Sequence, residues 1–126
     1  MENSPICRTV LLVDDDPSHL KLYSWIVNKE GYRAVTALVG SSSVDFPRAS
    51  RADVVVMDYR YSSQLQARDV AKLIQSTFPG TPIILISELI WLPDDMRGIV
   101  DGFVTKGDPE SLLSLIRELC GEPRSA

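Results

Sequence analysis

The chain is poor in cysteine and has no long apolar segments. Its two cysteines, Cys7 and Cys120, stand near opposite ends of the 126 residues and form neither a zinc-binding pattern nor a disulfide framework. We expect both to be free thiols in a cytoplasmic protein. No purely apolar run exceeds four residues, whereas a membrane helix needs roughly 20. Residues 1–8 also lack the pattern of a signal peptide. We therefore expect no membrane association.

Positive charge is also scarce. The 13 Lys and Arg residues are outnumbered by 17 Asp and Glu residues, which gives a formal net charge of −4. Such a chain has no overall attraction for phosphate backbones, so we expect no direct nucleic acid partner. The single histidine, His19, forms no Ser-His-Asp or metal-binding group in the sequence. We expect it to be an ordinary surface residue beside an acidic loop.

Short apolar segments rich in Val and Ile alternate with helical segments. Such nearly continuous apolar runs are typical of strands that are buried on both faces of a sheet. Strands that alternate with helices predict an α/β fold with a doubly wound, five-stranded parallel sheet. The five strand segments are residues 9–13, 33–37, 53–57, 82–86 and 103–105.

Three helices are clearly indicated by their caps and apolar spacing. The first begins at Pro17 and the last at Pro109, each directly after an aspartate that can cap the helix. The third helix in chain order covers about residues 67–77. Two others, near residues 41–49 and 93–100, are expected to be short or distorted, because one contains a proline and the other has room for few turns.

Polar residues follow four of the predicted strands. In a doubly wound sheet, ligands bind beyond the carboxyl ends of the strands, so these side chains are candidates for one site. Clustered carboxylates repel one another unless a cation such as Mg²⁺, which prefers oxygen ligands, lies between them. A lysine and a hydroxyl beside them suit a phosphoryl group, and a carboxylate can be its acceptor. The residues are Asp14, Asp15, Asp16, Asp58, Ser87 and Lys106.

Four motifs that contain these residues occur in a distinctive order. They are LLVDDDP at residues 11–17, DVVVMD at 53–58, PIILIS at 82–87 and FVTK at 103–106. With them, the chain resembles the receiver domain of bacterial two-component response regulators over about residues 6–121, which leaves 1–5 and 122–126 as flexible tails. The resemblance implies the flavodoxin-like (βα)5 fold of the chemotaxis regulators.

The resemblance also implies the roles of individual residues. Asp58 would accept a phosphoryl group from the phosphohistidine of a sensor histidine kinase or a phosphotransfer protein. Asp15, Asp58 and the backbone carbonyl of Arg60 would bind Mg²⁺, with Asp14 acting partly through water. Lys106 would contact the phosphoryl group. The domain would assist its own phosphorylation and dephosphorylation without being an enzyme in the usual sense.

A switch is implied as well. Ser87 would also contact the phosphoryl group, and Phe103 would turn inward as Ser87 moves. These movements would change the face formed by the fourth helix, fifth strand and fifth helix. A downstream protein or a second copy of the chain would bind this face. The apolar run 89–92 follows the fourth strand and is either core or part of that contact.

The chain departs from the family pattern around the candidate site. The loop after Asp58 is longer than usual and lacks the usual Pro and Gly, and Arg60 adds a cation there. Glu88 replaces a small residue, the stretch before Lys106 is short, and Gly107 replaces a proline. Two alternatives therefore stay open. One is a pseudo-receiver that binds partners without phosphorylation, and the other is a small haloacid-dehalogenase-like phosphatase that uses Asp14. The sequence also leaves open whether the domain acts alone or within a longer protein.

Overall fold

The computed structural model describes residues 8–47, 51–61 and 64–123. These residues form one sheet of six strands, three α-helices and a single 3-10 turn, Asp94–Met96. The helices are α1 (Pro17–Lys29), α2 (Ala67–Thr77) and α3 (Pro109–Cys120). The strands are β1 (Thr9–Asp14), β2 (Arg33–Val39), β3 (Val44–Asp45), β4 (Val54–Asp58), β5 (Ile83–Ser87) and β6 (Gly102–Thr105).

The sheet is parallel except at one edge. Its strand order is β3-β2-β1-β4-β5-β6, and only the two-residue β3 pairs antiparallel, with β2. The reversal of strand order between β1 and β4 is the feature that creates a ligand-binding crevice in doubly wound sheets. The predicted α/β fold is therefore confirmed, with a short sixth strand added to the five that the sequence indicates.

Two apolar layers cover the sheet because successive side chains of a strand point to opposite faces. In β1, Leu11 and Val13 pack in the layer that contains α2. Their neighbours Val10 and Leu12 pack in the layer that contains residues of α1 and α3. Each central strand thus buries both faces, which explains its continuous apolar sequence.

The helices begin where their caps predict. The side chain of Asp16 accepts a hydrogen bond from the Ser18 backbone N–H at 2.9 Å, and Pro17 is the first residue of α1. Asp108 caps α3 in the same way, through the backbone N–H of Ser111 at 3.1 Å. The helix α1 has 13 residues. None of the helices in the described part of the chain is long and apolar enough to cross a membrane.

The expectation of a second helix near residues 41–49 is wrong for residues 41–47, which the structure describes. Residues Val44–Asp45 instead form β3, and the ring of Phe46 contacts the ring of Phe78 edge-on at 5.6 Å between centroids. Pro47 has no N–H to donate within a helix, and the alternating apolar pattern of Val44 and Phe46 suits an extended chain. Residues 48–49 lie outside the described residues.

The expected helix near residues 93–100 is reduced to the single turn Asp94–Met96. Met96 is fully buried, and Leu92 is partly buried against the same core layer as α2. These two side chains cover the sheet where a longer helix would lie. The crossover from β5 to β6 is therefore mostly irregular chain.

Cys120 is a free thiol at the end of α3. Burial raises the pKa of its thiol to about 11, so the thiolate is scarce at neutral pH. The free thiol agrees with the expectation from the sequence. Cys7, the other expected free thiol, lies outside the described residues.

Candidate functional site

Three polar residues end the central strands at the same edge of the sheet. Asp14, Asp58 and Ser87 are the last residues of β1, β4 and β5, and they are 4%, 6% and 1% exposed. The register places Val13 opposite Met57, so the next residues in both strands, the two aspartates, lie side by side. Parallel pairing thus brings together residues that lie more than 40 positions apart in the chain.

Lys106 completes the group from the turn after β6. Its Nζ atom lies 3.1 Å from Oδ2 of Asp58. Oδ1 of the same carboxylate accepts a hydrogen bond from the Tyr59 backbone N–H at 2.8 Å. Burial by itself lowers the pKa of Lys106, but the charge of Asp58 and the hydrogen bond to it outweigh that effect and raise the pKa. The lysine is therefore a permanent cation that holds Asp58 in one orientation.

The carboxylate of Asp14 is buried beside that of Asp58. Burial, followed by the charge of Asp58, raises the pKa of Asp14 to about 6. The Asp16 backbone N–H, which donates to Oδ1 of Asp14 at 3.1 Å, offsets only part of this increase. Two buried carboxylates side by side, of which Asp14 has a raised pKa, form a site where a divalent cation is favoured. The donor set thus fits a metal ion.

An open cleft of about 1030 Å³ runs from these carboxylates along the loop after β4 towards α2. Asp15, which is half-buried, and the exposed Arg60 line it, so both residues face the same space as Asp58. Residues 62–63 of this loop lie outside the described residues. The expected change of loop shape is therefore untested at these two positions. The cleft is large enough for a group attached to a phosphoryl donor.

Ser87 and Phe103 lie beside this edge of the sheet. The Ser87 hydroxyl accepts a hydrogen bond from the Leu89 backbone N–H at 3.1 Å, and the Ser87 carbonyl accepts one from the Lys106 backbone N–H at 2.8 Å. Phe103 is partly buried against the core layer that contains α2 and pairs in register with Leu85. The hydroxyl is thus engaged with the irregular crossover and not with the carboxylates.

The apolar run after β5 divides between the core and the surface. Leu92 packs against the core, whereas Ile90 is 76% exposed and Trp91 is 62% exposed. The interpretation of the whole run as core is therefore wrong for its two middle residues. Gly107 has a φ of 85°, a conformation that the proline usual at this position cannot adopt.

Two residues near the site were not found from the sequence. His19, expected to be an ordinary surface residue, places its Nδ1 atom 3.3 Å from Oδ2 of Asp14. Its spacing of three positions from the cap Asp16 predicts a contact with the acidic loop and could have revealed it. The Tyr61 hydroxyl is buried without a hydrogen-bond partner in the described structure. Burial, followed by the charge of Asp58, raises the pKa of Tyr61.

The family model of the response regulator receiver domain matches residues 10–117 of this chain. The chain therefore belongs to the response regulator receiver domain family of two-component signalling. Domains of this class are signalling modules and not classical enzymes.

Two curated relatives illustrate the similarity in sequence. The chain is 35% identical over 101 residues to the probable transcriptional regulatory protein TcrX of Mycobacterium tuberculosis, a match that covers 78% of this chain and 43% of that protein. It is 33% identical over 100 residues to the transcriptional regulatory protein GlrR of Escherichia coli, with 77% and 22% covered. The chain thus matches less than half the length of either relative.

Solved structures agree in fold. The chemotaxis protein CheY4 of Vibrio cholerae superposes with a TM-score of 0.74 at 22% identity, over 90% of this chain and 99% of that one. The response regulator TrrA of Thermotoga maritima, determined in complex with Mg²⁺-BeF, gives 0.67 at 22% identity, over 89% and 98%. At these identities the likeness establishes the receiver fold and no more.

Proposed function

We propose that Asp58 is a phosphoacceptor and takes a phosphoryl group from the phosphohistidine of a sensor histidine kinase or a phosphotransfer protein. One observation carries this proposal: the buried carboxylate that ends the central strand β4 is held by Lys106 at 3.1 Å beside a second buried carboxylate, Asp14. An acceptor needs a fixed, ionised oxygen and a cation that can stabilise the charge of the transferred group.

Lys106 supports both requirements. Because its pKa is raised, Lys106 stays charged beside Asp58 and holds the carboxylate in place before transfer. During transfer, an Asp58 oxygen forms a bond to phosphorus as the P–N bond of the donor breaks. The electron pair of that bond stays on the donor's imidazole nitrogen. The ammonium group of Lys106 is then close enough to a phosphoryl oxygen to neutralise part of its charge.

A divalent cation is part of the proposal. Asp14, Asp15, Asp58 and the backbone carbonyl of Arg60 would hold Mg²⁺ at the carboxylate edge of the cleft. The bound ion would supply charge neutralisation for the phosphoryl oxygens. The raised pKa of Asp14 supports this assignment, because it reflects a buried carboxylate beside a second carboxylate, and a bound cation would stabilise the ionised form. The Mg²⁺-BeF complex of TrrA, a relative in fold, is consistent with it.

Ser87 and Phe103 form the proposed switch. To reach a phosphoryl group on Asp58, the Ser87 hydroxyl would exchange its bond from the Leu89 N–H for one to a phosphoryl oxygen. That exchange would alter the crossover between β5 and β6 and the surroundings of Phe103. The surface affected includes the exposed side chains of Ile90 and Trp91. We propose this face, completed by β6 and α3, as the contact for a downstream protein or a second copy.

The remaining parts of the proposal follow from this role. The receiver domain would span residues 6–121 and act in the cytoplasm, where the kinase domain of a sensor protein supplies phosphate. The signal would leave through protein contacts and not through direct binding of nucleic acid by this domain. These statements concern the domain and not any longer protein that contains it.

Intact-mass spectrometry tests the proposal. The chain is incubated with Mg²⁺ and either acetyl phosphate or a panel of phosphorylated histidine kinases. We expect one added phosphoryl mass that is lost in Asp58→Asn and retained in the matched surface variant Asp45→Asn, whose aspartate is exposed on β3. Phosphorylation on Asp14 would instead favour the phosphatase, and no uptake from any donor would favour the pseudo-receiver. Either result would overturn the proposal.

A further inference from the structure

The single histidine of the chain lies against the acidic site. His19 belongs to the first turn of α1, and its Nδ1 atom is 3.3 Å from Oδ2 of Asp14. One nitrogen of His19 and one carboxylate oxygen from each of Asp14 and Asp58 all lie within 4.8 Å of one another. The three residues therefore offer a mixed nitrogen and oxygen donor set at one point.

The Nδ1 atom of His19 has no hydrogen-bond partner in the described structure, although it is buried from solvent. The side chain as a whole is 40% exposed, and Oδ2 of Asp14, at 3.3 Å, forms no hydrogen bond with Nδ1. A buried ring nitrogen without a partner costs free energy unless something binds it. Its position beside two carboxylates indicates a cation as that partner.

The spacing of the donors suits one ion. Ligand atoms that lie about 2.1 Å from a metal at right-angled to tetrahedral positions are about 3.0–3.4 Å apart. The 3.3 Å between Nδ1 of His19 and Oδ2 of Asp14 falls in that range. All three donor atoms lie within 4.8 Å of one another, so a small inward movement would bring any more widely spaced pair into that range.

We infer that His19 Nδ1 is a ligand of the cation at this site, together with Asp14 and Asp58, and that the site therefore binds Zn²⁺ more tightly than an all-oxygen site would. Imidazole nitrogen suits Zn²⁺, whereas Mg²⁺ prefers oxygen donors and keeps its waters. The inference rests on the proposed function only in placing a cation at these carboxylates. It assigns a role to His19 that the receiver motifs do not contain.

Nuclear magnetic resonance tests the ligand directly, because untagged protein contains one histidine. In protein labelled with ¹⁵N in the imidazole ring, the Nδ1 resonance should shift on addition of Zn²⁺ much more than the Nε2 resonance. Addition of Mg²⁺ should leave both close to their starting positions. A Zn²⁺ titration that leaves Nδ1 unshifted would overturn the inference.

Binding constants give a second, independent measurement. Competition with a chromophoric chelator measures Zn²⁺ and Mg²⁺ affinity in the original chain, in His19→Phe and in Lys21→Ala, a control at an exposed position of the same helix. Phenylalanine keeps a planar ring and removes the nitrogen. We expect Zn²⁺ affinity to fall by about tenfold or more in His19→Phe, within the range for losing a supporting contact at a metal site. Mg²⁺ affinity should change by less than about twofold, and Lys21→Ala should match the original chain.

The outcomes separate this inference from the proposed function. A shifted Nδ1 resonance without phosphorylation of Asp58 would support the histidine ligand and overturn the phosphoacceptor proposal. Phosphorylation of Asp58 with equal loss of Zn²⁺ and Mg²⁺ affinity in His19→Phe would do the reverse. Circular dichroism of each variant shows that an affinity change does not reflect unfolding.

Discussion

The two crossovers on either side of β5 differ in how they cover the sheet. Between β4 and β5, the helix α2 buries Val70, Ala71 and Ile74 completely. Between β5 and β6, a single 3-10 turn buries Met96, while Ile90 and Trp91 stay exposed. The first crossover is a rigid, well-packed segment beside the acidic strand ends. The second has few buried anchors, and such segments open at a lower free energy than a packed helix.

This difference matters for the site because its charges are divided between the two regions. Asp14 and Asp58 end strands β1 and β4, in the part of the sheet flanked by α1 and α2. Ser87 is the last residue of β5, where the irregular crossover begins, and Lys106 follows β6, the strand to which that crossover leads. Asp58 is thus held by the well-packed region, whereas Ser87 and Lys106, which we propose respond to phosphate, are attached to the less constrained one.

The largest effect is expected from Ile74→Ala in α2. Ile74 is fully buried, so truncation leaves a cavity in the packed region and should lower the free energy of unfolding by roughly 3–5 kcal/mol. Urea denaturation measures this change. Leu73→Ala, at a neighbouring position that is 39% exposed, is the control and should cost under about 1.5 kcal/mol. Equal losses for both variants would contradict the rigid packing of α2.

The next effect concerns the charge at the end of β1. In a chelator without divalent cations, Asp14→Asn should raise the free energy of unfolding at pH 7 by up to about 3 kcal/mol, at about 1.4 kcal/mol for each pKa unit. The pKa of Asp14 is raised from 3.8 to about 6 in the folded chain. Between these values the folded state holds a proton that the unfolded state has lost. Stability of the original chain therefore falls as the pH rises from about 4 to 6.

Denaturation at several pH values checks that sign. The decline between about pH 4 and 6 should be weaker in Asp14→Asn, whereas Asp45→Asn should behave as the original chain does. Saturating divalent cation should reverse the order of stability at pH 7, because the variant loses a proposed metal ligand. If the variant is less stable than the original chain in the presence of chelator, the ionised carboxylate of Asp14 does not destabilise the folded state.

A smaller loss is expected from Met96→Ala in the second crossover. Met96 is as deeply buried as Ile74, but the chain around it is irregular and can close over the space. We expect a loss of roughly 2 kcal/mol by urea denaturation, at the low end for such truncations. A loss equal to that of Ile74→Ala would mean that the two crossovers are equally well packed.

A smaller loss of stability is expected from breaking the hydrogen bond that connects the two regions. The Tyr59 hydroxyl donates a hydrogen bond to Oδ1 of Asp95 at 3.0 Å. It links Tyr59, which follows Asp58 in the chain, to the 3-10 turn. Tyr59→Phe should cost under about 1 kcal/mol of stability, as is usual for an exposed hydrogen bond. Hydrogen exchange should nevertheless quicken in residues 88–101 and stay unchanged in α2. Unchanged exchange in both segments would show that this bond does not restrain the crossover.

The smallest effect is expected at Glu88, directly after Ser87. Its exposed carboxylate adds negative charge near an incoming phosphodonor. Glu88→Ala should therefore raise the rate of phosphorylation by acetyl phosphate severalfold, and the rate difference should shrink at high salt. Glu110→Ala, an exposed acid in the first turn of α3, is the control. A rate that is the same in both variants would remove Glu88 from any account of donor access.

The regular part of the fold was predictable because its information is local. Continuous Val and Ile runs indicate buried parallel strands, and Asp16 with Pro17 sets the start of α1. The weakly patterned segments were less predictable. Near residues 41–47 an alternating apolar pattern outweighed the expectation of a helix, and in residues 93–100 few residues had to span β5 to β6. A different local pattern thus determined the backbone of the first segment, and the short connection determined that of the second.

The sequence by itself determined that Asp14, Asp58, Ser87 and Lys106 lie at strand ends, because a buried parallel strand has a recognisable length and its polar residue marks the end. Only the tertiary structure decided two contacts between residues that are distant in the chain, Lys106 with Asp58 and Tyr59 with Asp95. These contacts depend on strand register and helix orientation, which bring together distant parts of the chain. Local patterns specify which face is buried but not which side chain lies opposite.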